Sequence, residues 1–115
     1  MPTDDTRDNI MRHFPSLLNR WRGATARLLE LTATHSTLRI VLYVQDRPGC
    51  LEISCISPER ISAPFEWRNA NVVVEKATED GGLFDVLDRE ASVAVNNCGV
   101  EIKELTKKWH EESSP

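Results

Sequence analysis

The residues with chemistry to offer are few and scattered. Three histidines (His13, His35, His110) and three cysteines (Cys50, Cys55, Cys98) are spread over 115 positions. His35 beside Ser36 is the one His/Ser adjacency. Adjacent residues rarely act as base and nucleophile, because a triad is assembled in space from separate elements, so turn chemistry explains that pair better. His13 falls beside the apolar stripe of the first helical segment, and His110 lies in a last helical turn, where a cation complements the helix dipole. Cys50 and Cys55 are spaced C-x4-C, poor for a zinc knuckle, and no second Cys/His pair accompanies them. On one regular strand they point to opposite faces and cannot bond each other. An odd cysteine count fits a reducing compartment. P-loop, dinucleotide, nucleophile-elbow and H-E-x-x-H patterns are missing, and Gly23, Gly49, Gly81, Gly82 and Gly99 fall in turns or element ends. No catalytic residue, metal or cofactor is therefore expected.

Two groupings remain. Asp85 would share a face with Leu83 and Leu87 on a regular strand, and a carboxylate directed into a barrel could serve as acid or base. Asp88 more simply begins a turn and binds backbone N–H groups. The most distinctive run is Cys55 to Ala70, CISPERISAPFEWRNA. Its two prolines fix chain direction, Phe65 and Trp67 share one face of an extended segment, and Arg60 and Arg68 flank them. An aromatic pair with arginines can stack a base or sugar, or anchor a protein partner. The plainer account has Ile61 and Trp67 plugging a corner of the sheet, with Phe65 as its lid.

Within that run the order Cys55, Ile61, Pro64, Trp67, Asn69, preceded by a Leu-rich strand and followed by a Val-rich one, resembles a family of small uncharacterised bacterial domains. That family often has Gly before the proline where this chain has Ala63. The resemblance spans roughly residues 23–105. It implies a bacterial source and a β-rich domain, and it brings no activity with it.

These residues need elements to hold them. Ile10, Met11, Phe14, Leu17, Leu18 and Trp21 lie on one helical stripe, with Thr3, Asp4 and Asp5 available for capping. Pro15 either kinks this helix or opens a second one from its first position. Residues 24–33 are contested. Ala24, Leu28 and Leu29 continue the stripe, yet the threonines favour a strand over Thr25–Ala33 with His35-Ser36 at a hairpin tip. Leu38–Val44 follows, then the turn Asp46-Arg47-Pro48-Gly49 and the alternating strand Leu51, Ile53, Cys55, which Ser57-Pro58 breaks. Ile61–Trp67 reads as an edge or bend, Asn71–Lys76 as a strand, and Glu79-Asp80-Gly81-Gly82 as a turn into Leu83–Leu87. Asp88-Arg89-Glu90 turns into Ser92–Asn96, and Asn96-Asn97-Cys98-Gly99 reads as a hairpin turn into Val100–Glu104. A short helix from Leu105 to His110 places Leu105 and Trp109 together.

About seven short strands with helices only at the ends predict an α+β, mainly antiparallel β fold: a small barrel or sandwich with an N-terminal amphipathic helix and a short C-terminal helix. One domain is expected over 1–115: helical segment 1–22, β body 23–104, and C-terminal turn and tail 105–115. With 40% apolar and 28% charged residues the chain can build an ordinary core. A net charge of −4 argues against general nucleic-acid or anionic-membrane binding. No segment approaches the apolar run of a membrane span, and the polar start lacks a signal peptide's core, so a cytoplasmic location is expected. The charge is uneven. Residues 1–43 carry +2 and residues 44–115 carry −6. Arg12, Arg20, Arg22 and Arg27 could meet an acidic partner, or complement the protein's own acidic body.

Missing catalytic spacing and surplus large apolar groups (Trp21, Phe65, Trp67, Trp109) predict a non-enzymatic protein-interaction or assembly module, expected as a homodimer or with a protein partner. The alternative is a small-molecule site at the open end of the sheet, lined by Trp67, Tyr43, Arg60 and Asp85. Ligand or partner contact is therefore assigned to Trp67, Phe65, Arg60, Arg68, Tyr43 and Trp21.

Overall fold

The computed structural model describes residues 11–32, 37–78 and 81–105. It consists of helix α1 (Phe14–Arg20) and strands β1 (Thr25–Thr32), β2 (Thr37–Tyr43), β3 (Cys50–Ser62), β4 (Glu66–Trp67), β5 (Val73–Lys76), β6 (Phe84–Asp88) and β7 (Val93–Leu105). All pairings are antiparallel, in the single sheet order β4-β1-β2-β3-β7-β6-β5. This one sheet curls into a half-barrel around the core.

Residues 25–32 are strand, which decides the contested segment against a continued helix. Pro15 stands in the first turn of α1, where its missing N–H costs nothing. A seven-residue helix is marginal alone, so packing holds it: Phe14, Leu18 and Trp21 are buried against the sheet, where α1 meets β5 and β7. The expected helical residues 3–10, the tip His35-Ser36, the turn residues Glu79-Asp80 and the C-terminal helix beyond Leu105 lie outside the described residues. Leu105 itself ends β7.

Three expectations are corrected. Ser57-Pro58 does not end β3. Ser57 takes φ 51°, the register slips between Pro58 and Arg60, and the strand runs on to Ser62. Asn96-Asn97-Cys98-Gly99 is no turn but the middle of the thirteen-residue β7, with Asn96, Asn97 and Gly99 paired to Arg60, Pro58 and Ile56 of β3. Asp85 does not face the interior, because the buried positions of β6 are Phe84, Val86 and Asp88.

The second correction has a structural cause. In the first half of β7 Val93, Val95 and Asn97 are buried on one face and Asn96, bonded to Gly82, on the other; in the second half Val100 is buried and Ile102 half-buried. Odd and even positions point to opposite faces. The long β3–β7 ribbon therefore changes the face it gives to the core midway, beside the β3 bulge that increases its twist. The face released in the first half carries Asn96, and the Gly82 backbone presses on that segment of β7. A Cβ at Gly82 would lie 2.3 Å from the carbonyl oxygen of Asn97. At Gly99 a Cβ would meet only Ile56, at 3.6 Å. Gly82→Ala is expected to lower the urea midpoint by the equivalent of about 2–3 kcal/mol or to abolish folding, and Gly99→Ala to change it by less than about 1 kcal/mol. Equal tolerance of both substitutions would contradict the close approach.

Candidate functional site

The run from Ser57 to Asn71 forms a corner that ties the two ends of the curled sheet together. After Ser62 the chain leaves β3, passes Pro64, and crosses to the far edge, where Glu66 and Trp67 pair with Arg27 and Ala26 of β1. The Phe65 carbonyl accepts from Leu28 N–H at 2.9 Å. Asn69, at φ 52°, turns the chain, and Ala70 exchanges backbone bonds with its neighbours: its N–H donates to Ala24 O at 2.9 Å and its carbonyl accepts from Gly23 N–H at 2.8 Å.

The inside of this corner is polar and sealed. Asp88 is 1% exposed. Its Oδ2 accepts from the Trp67 indole N–H at 2.9 Å and from the Asn71 amide at 2.8 Å, and its Oδ1 from Ala91 N–H at 3.4 Å. A buried carboxylate needs such donors, since an unpaired buried charge is very costly. The outside of the corner is different. Phe65 is 84% exposed, beside an Arg27–Glu66 pair at 4.0 Å and an exposed Arg68.

The six assigned residues do not converge. Trp67 and Trp21 are core residues, at 8% and 2% exposure. Trp21 donates to Glu104 Oε2 at 2.7 Å and lies 3.8 Å beneath the Arg47 guanidinium, while Arg20 pairs with Glu104 Oε1 at 3.0 Å. Of Trp21, Phe65 and Trp67 only Phe65 is exposed, and Trp109 lies outside the described residues; Ile61 is exposed too, so Trp67 alone plugs the corner and Phe65 is no lid. Tyr43 is half-buried on β2. Arg20, Arg22 and Arg27 contact Glu104, Asn71 and Glu66 respectively, so these N-terminal cations complement the chain's own body.

Arg60 and Asp85 do meet, without Trp67 or Tyr43. They line an open concavity of about 360 Å³ on the non-core face of the β3–β7–β6 segment, with Ser62, Thr78, Leu87, Ala94 and Asn96. Asn96 escapes sequence reasoning because its Asn-Asn-Cys-Gly context imitates a turn. The Trp67–Asp88 bond escapes it too, since a separation of 21 residues has no periodic signal. Among the described residues no group of three or more His, Cys, Asp or Glu could hold a metal. No protein-family model matches the chain, and no curated protein or solved structure matches it.

The cysteines divide by burial. Cys50 and Cys55 are buried and Cys98 is exposed. Burial pushes the Cys55 thiol up from 9.0 to about 12. Its folded value lies above the unfolded one, so its contribution to stability is complete below about pH 9 and is lost as pH rises toward 12. A thiol reagent at neutral pH is expected to label Cys98 quickly and the other two only after denaturation. Rapid labelling of Cys55 in the folded protein would contradict its burial. Asp88→Ala is expected to cost about 2–4 kcal/mol in urea unfolding, because the Trp67 indole and the Asn71 and Ala91 amides lose their acceptor. Trp67→Phe should cost less, and the double mutant should fall short of the sum. Strict additivity would show that the bond is not formed.

Proposed function

We propose that the domain is a non-enzymatic protein-binding module whose contact point is the Phe65 corner. One observation carries this reading: a large aromatic side chain is held 84% exposed by a backbone that has little freedom to move. Leu28 N–H fixes the Phe65 carbonyl, and two residues on, Trp67 is buried and bonded to Asp88. Exposing a phenyl ring forgoes the ~1.5–3 kcal/mol that burying it would return, and holding it rigid lowers the entropy cost of docking.

The partner is a second protein offering an apolar pocket with an acidic rim. Arg68 stands exposed three residues from Phe65, and among the described residues no hydrogen bond or ion pair engages it. An isologous contact through this corner would bring Arg68 near its own copy, which disfavours self-association there. Trp67 and Trp21 serve this function from inside, by fixing the corner and the helix.

The test compares wild type with Phe65→Ser and Arg68→Glu, by pull-down from the source cell and by size-exclusion chromatography with light scattering. Both variants should keep the wild-type melting temperature, since exposed substitutions rarely exceed about 0.5 kcal/mol. Phe65→Ser should lose a partner that the wild type retains, and Arg68→Glu should weaken it in a salt-dependent way. Retention of the same proteins by all three, or a strict monomer with no specific partner, overturns the proposal. A dimer abolished by Phe65→Ser would make the partner a second copy and overturn the argument from Arg68.

A further inference from the structure

We infer that the concavity around Asn96 is a second binding site, for a small zwitterion carrying an ammonium and a carboxylate group. Its construction follows from strand register. Arg60 on β3 pairs with Asn96 on β7, Asn96 with Asp85 on β6, and Asp85 with Glu75 on β5. Directly paired residues share a face, so these four side chains form one row across four strands. The next row is Ser62, Ala94, Leu87 and Val73, by the same pairings. Neighbouring strands lie about 4.8 Å apart, which sets the Cα atoms of Arg60 and Asp85 roughly 10 Å apart with Asn96 between them. A cation thus stands on one side of a depression and a carboxylate on the other, over a floor that includes the small side chain of Ala94.

The floor is preorganised. Asn96 is 5% exposed. Its Oδ1 accepts from Gly82 N–H at 2.7 Å, and its Nδ2 donates to Asp85 Oδ1 at 2.8 Å and to Gly82 O at 3.5 Å. These bonds fix the amide's orientation and one oxygen of Asp85, and the second carboxylate oxygen has no such bond to Asn96. Gly81 makes room for the arrangement: a Cβ there would lie 2.8 Å from Asn96 Oδ1 and 3.8 Å from Arg60 Nη2. Arg60 already has an interaction of its own, yet a guanidinium carries five N–H donors and can serve a second acceptor.

The chemistry selects the ligand. Asp85 attracts an ammonium group, Arg60 a carboxylate, Ser62 and Thr78 offer hydroxyls, and Leu87 with Ala94 gives apolar contact to the connecting carbons. A simple anion satisfies only Arg60, and a simple amine only Asp85. A volume of about 360 Å³ admits a free amino acid or one terminal residue of a peptide. The site shares Arg60 and Ser62 with the run that leads into the corner, but the Phe65 ring does not line it.

The test is titration of the full chain, ¹⁵N-labelled, with glycine, β-alanine and 4-aminobutanoate, which separate the two charges by increasing lengths, and with acetate and ethylamine as one-ended controls. At least one zwitterion should shift the Asn96 side-chain amide saturably, with a Kd of about 1 mM, and more tightly than either control by about tenfold. Arg60→Gln and Asp85→Asn should each weaken that binding about tenfold while the rest of the spectrum is unchanged. Phe65→Ser should not alter it, which separates this site from the corner. No saturable shift up to about 20 mM, well above the expected Kd, or equal binding of acetate or ethylamine overturns the inference. Glycylglycine binding more tightly than glycine would assign the site to peptide ends; tighter glycine would assign it to free amino acids.

Discussion

Asp88 accepts hydrogen bonds from the Trp67 indole on β4, at the far edge of the sheet order, and from the Asn71 amide in the connection that leads into β5. A seven-stranded curled sheet has two edges, here β4 and β5, and among the described residues no ladder joins them. The carboxylate bridges the gap instead, from β6 to β4. Because the group is buried, removal of either donor leaves a desolvated charge short of partners, so the bridge is strongly enforced. The path of residues 63–72, the burial of Trp67 and the exposure of Phe65 follow from where that bridge pulls the chain. A polar bond inside thus sets the position of an apolar group outside.

The second organising feature is the β3–β7 ribbon. Both strands are thirteen residues long, and together they turn one face to the core at one end and the opposite face at the other. Ser57 and the bulge before Arg60 supply the extra twist. That change frees the row Arg60–Asn96–Asp85 from the core while leaving it on rigid, fully paired backbone. Two separate surfaces therefore arise from one topology: a single exposed aromatic ring at an edge, and a polar depression across the middle of the sheet. Gly82 serves both the ribbon and the depression, through its contact with Asn97 and its bonds to Asn96.

Much of this was legible in the chain itself. Alternation of Leu51, Ile53 and Cys55, the threonines at both ends of Thr25–Thr32 and the Asp46–Gly49 turn specify strands and a hairpin from local chemistry, and Pro15 announces the start of α1. Reading failed where the hydrophobic phase slipped inside a continuous strand. Val93 and Val95 alternate in one phase, Val100 and Ile102 in the other, and Asn-Asn-Cys-Gly between them has turn composition. Local pattern cannot separate a turn from a strand that changes face, because both interrupt the period. Asp85 and Asp88 show a related limit: a regular strand tells which residues share a face, and only tertiary packing tells which face is covered. The sequence leaves Trp67 as either a partner contact or a plug of the sheet corner; its burial decides for the plug, and its indole N–H has a buried acceptor 21 residues away that no spacing announces.

Hydrogen exchange of Asp88→Asn against wild type probes most directly whether the buried carboxylate holds the corner. The amides of Leu28, bonded to Phe65 O, and Ala70, bonded to Ala24 O, report the corner, and the amides of the β2–β3 ladder report the sheet centre. Faster exchange at Leu28, Ala70 and the Trp67 indole, with the β2–β3 ladder still protected, is the expected result. Unchanged protection at all three corner sites would show that the corner, and with it the presentation of Phe65, does not depend on Asp88.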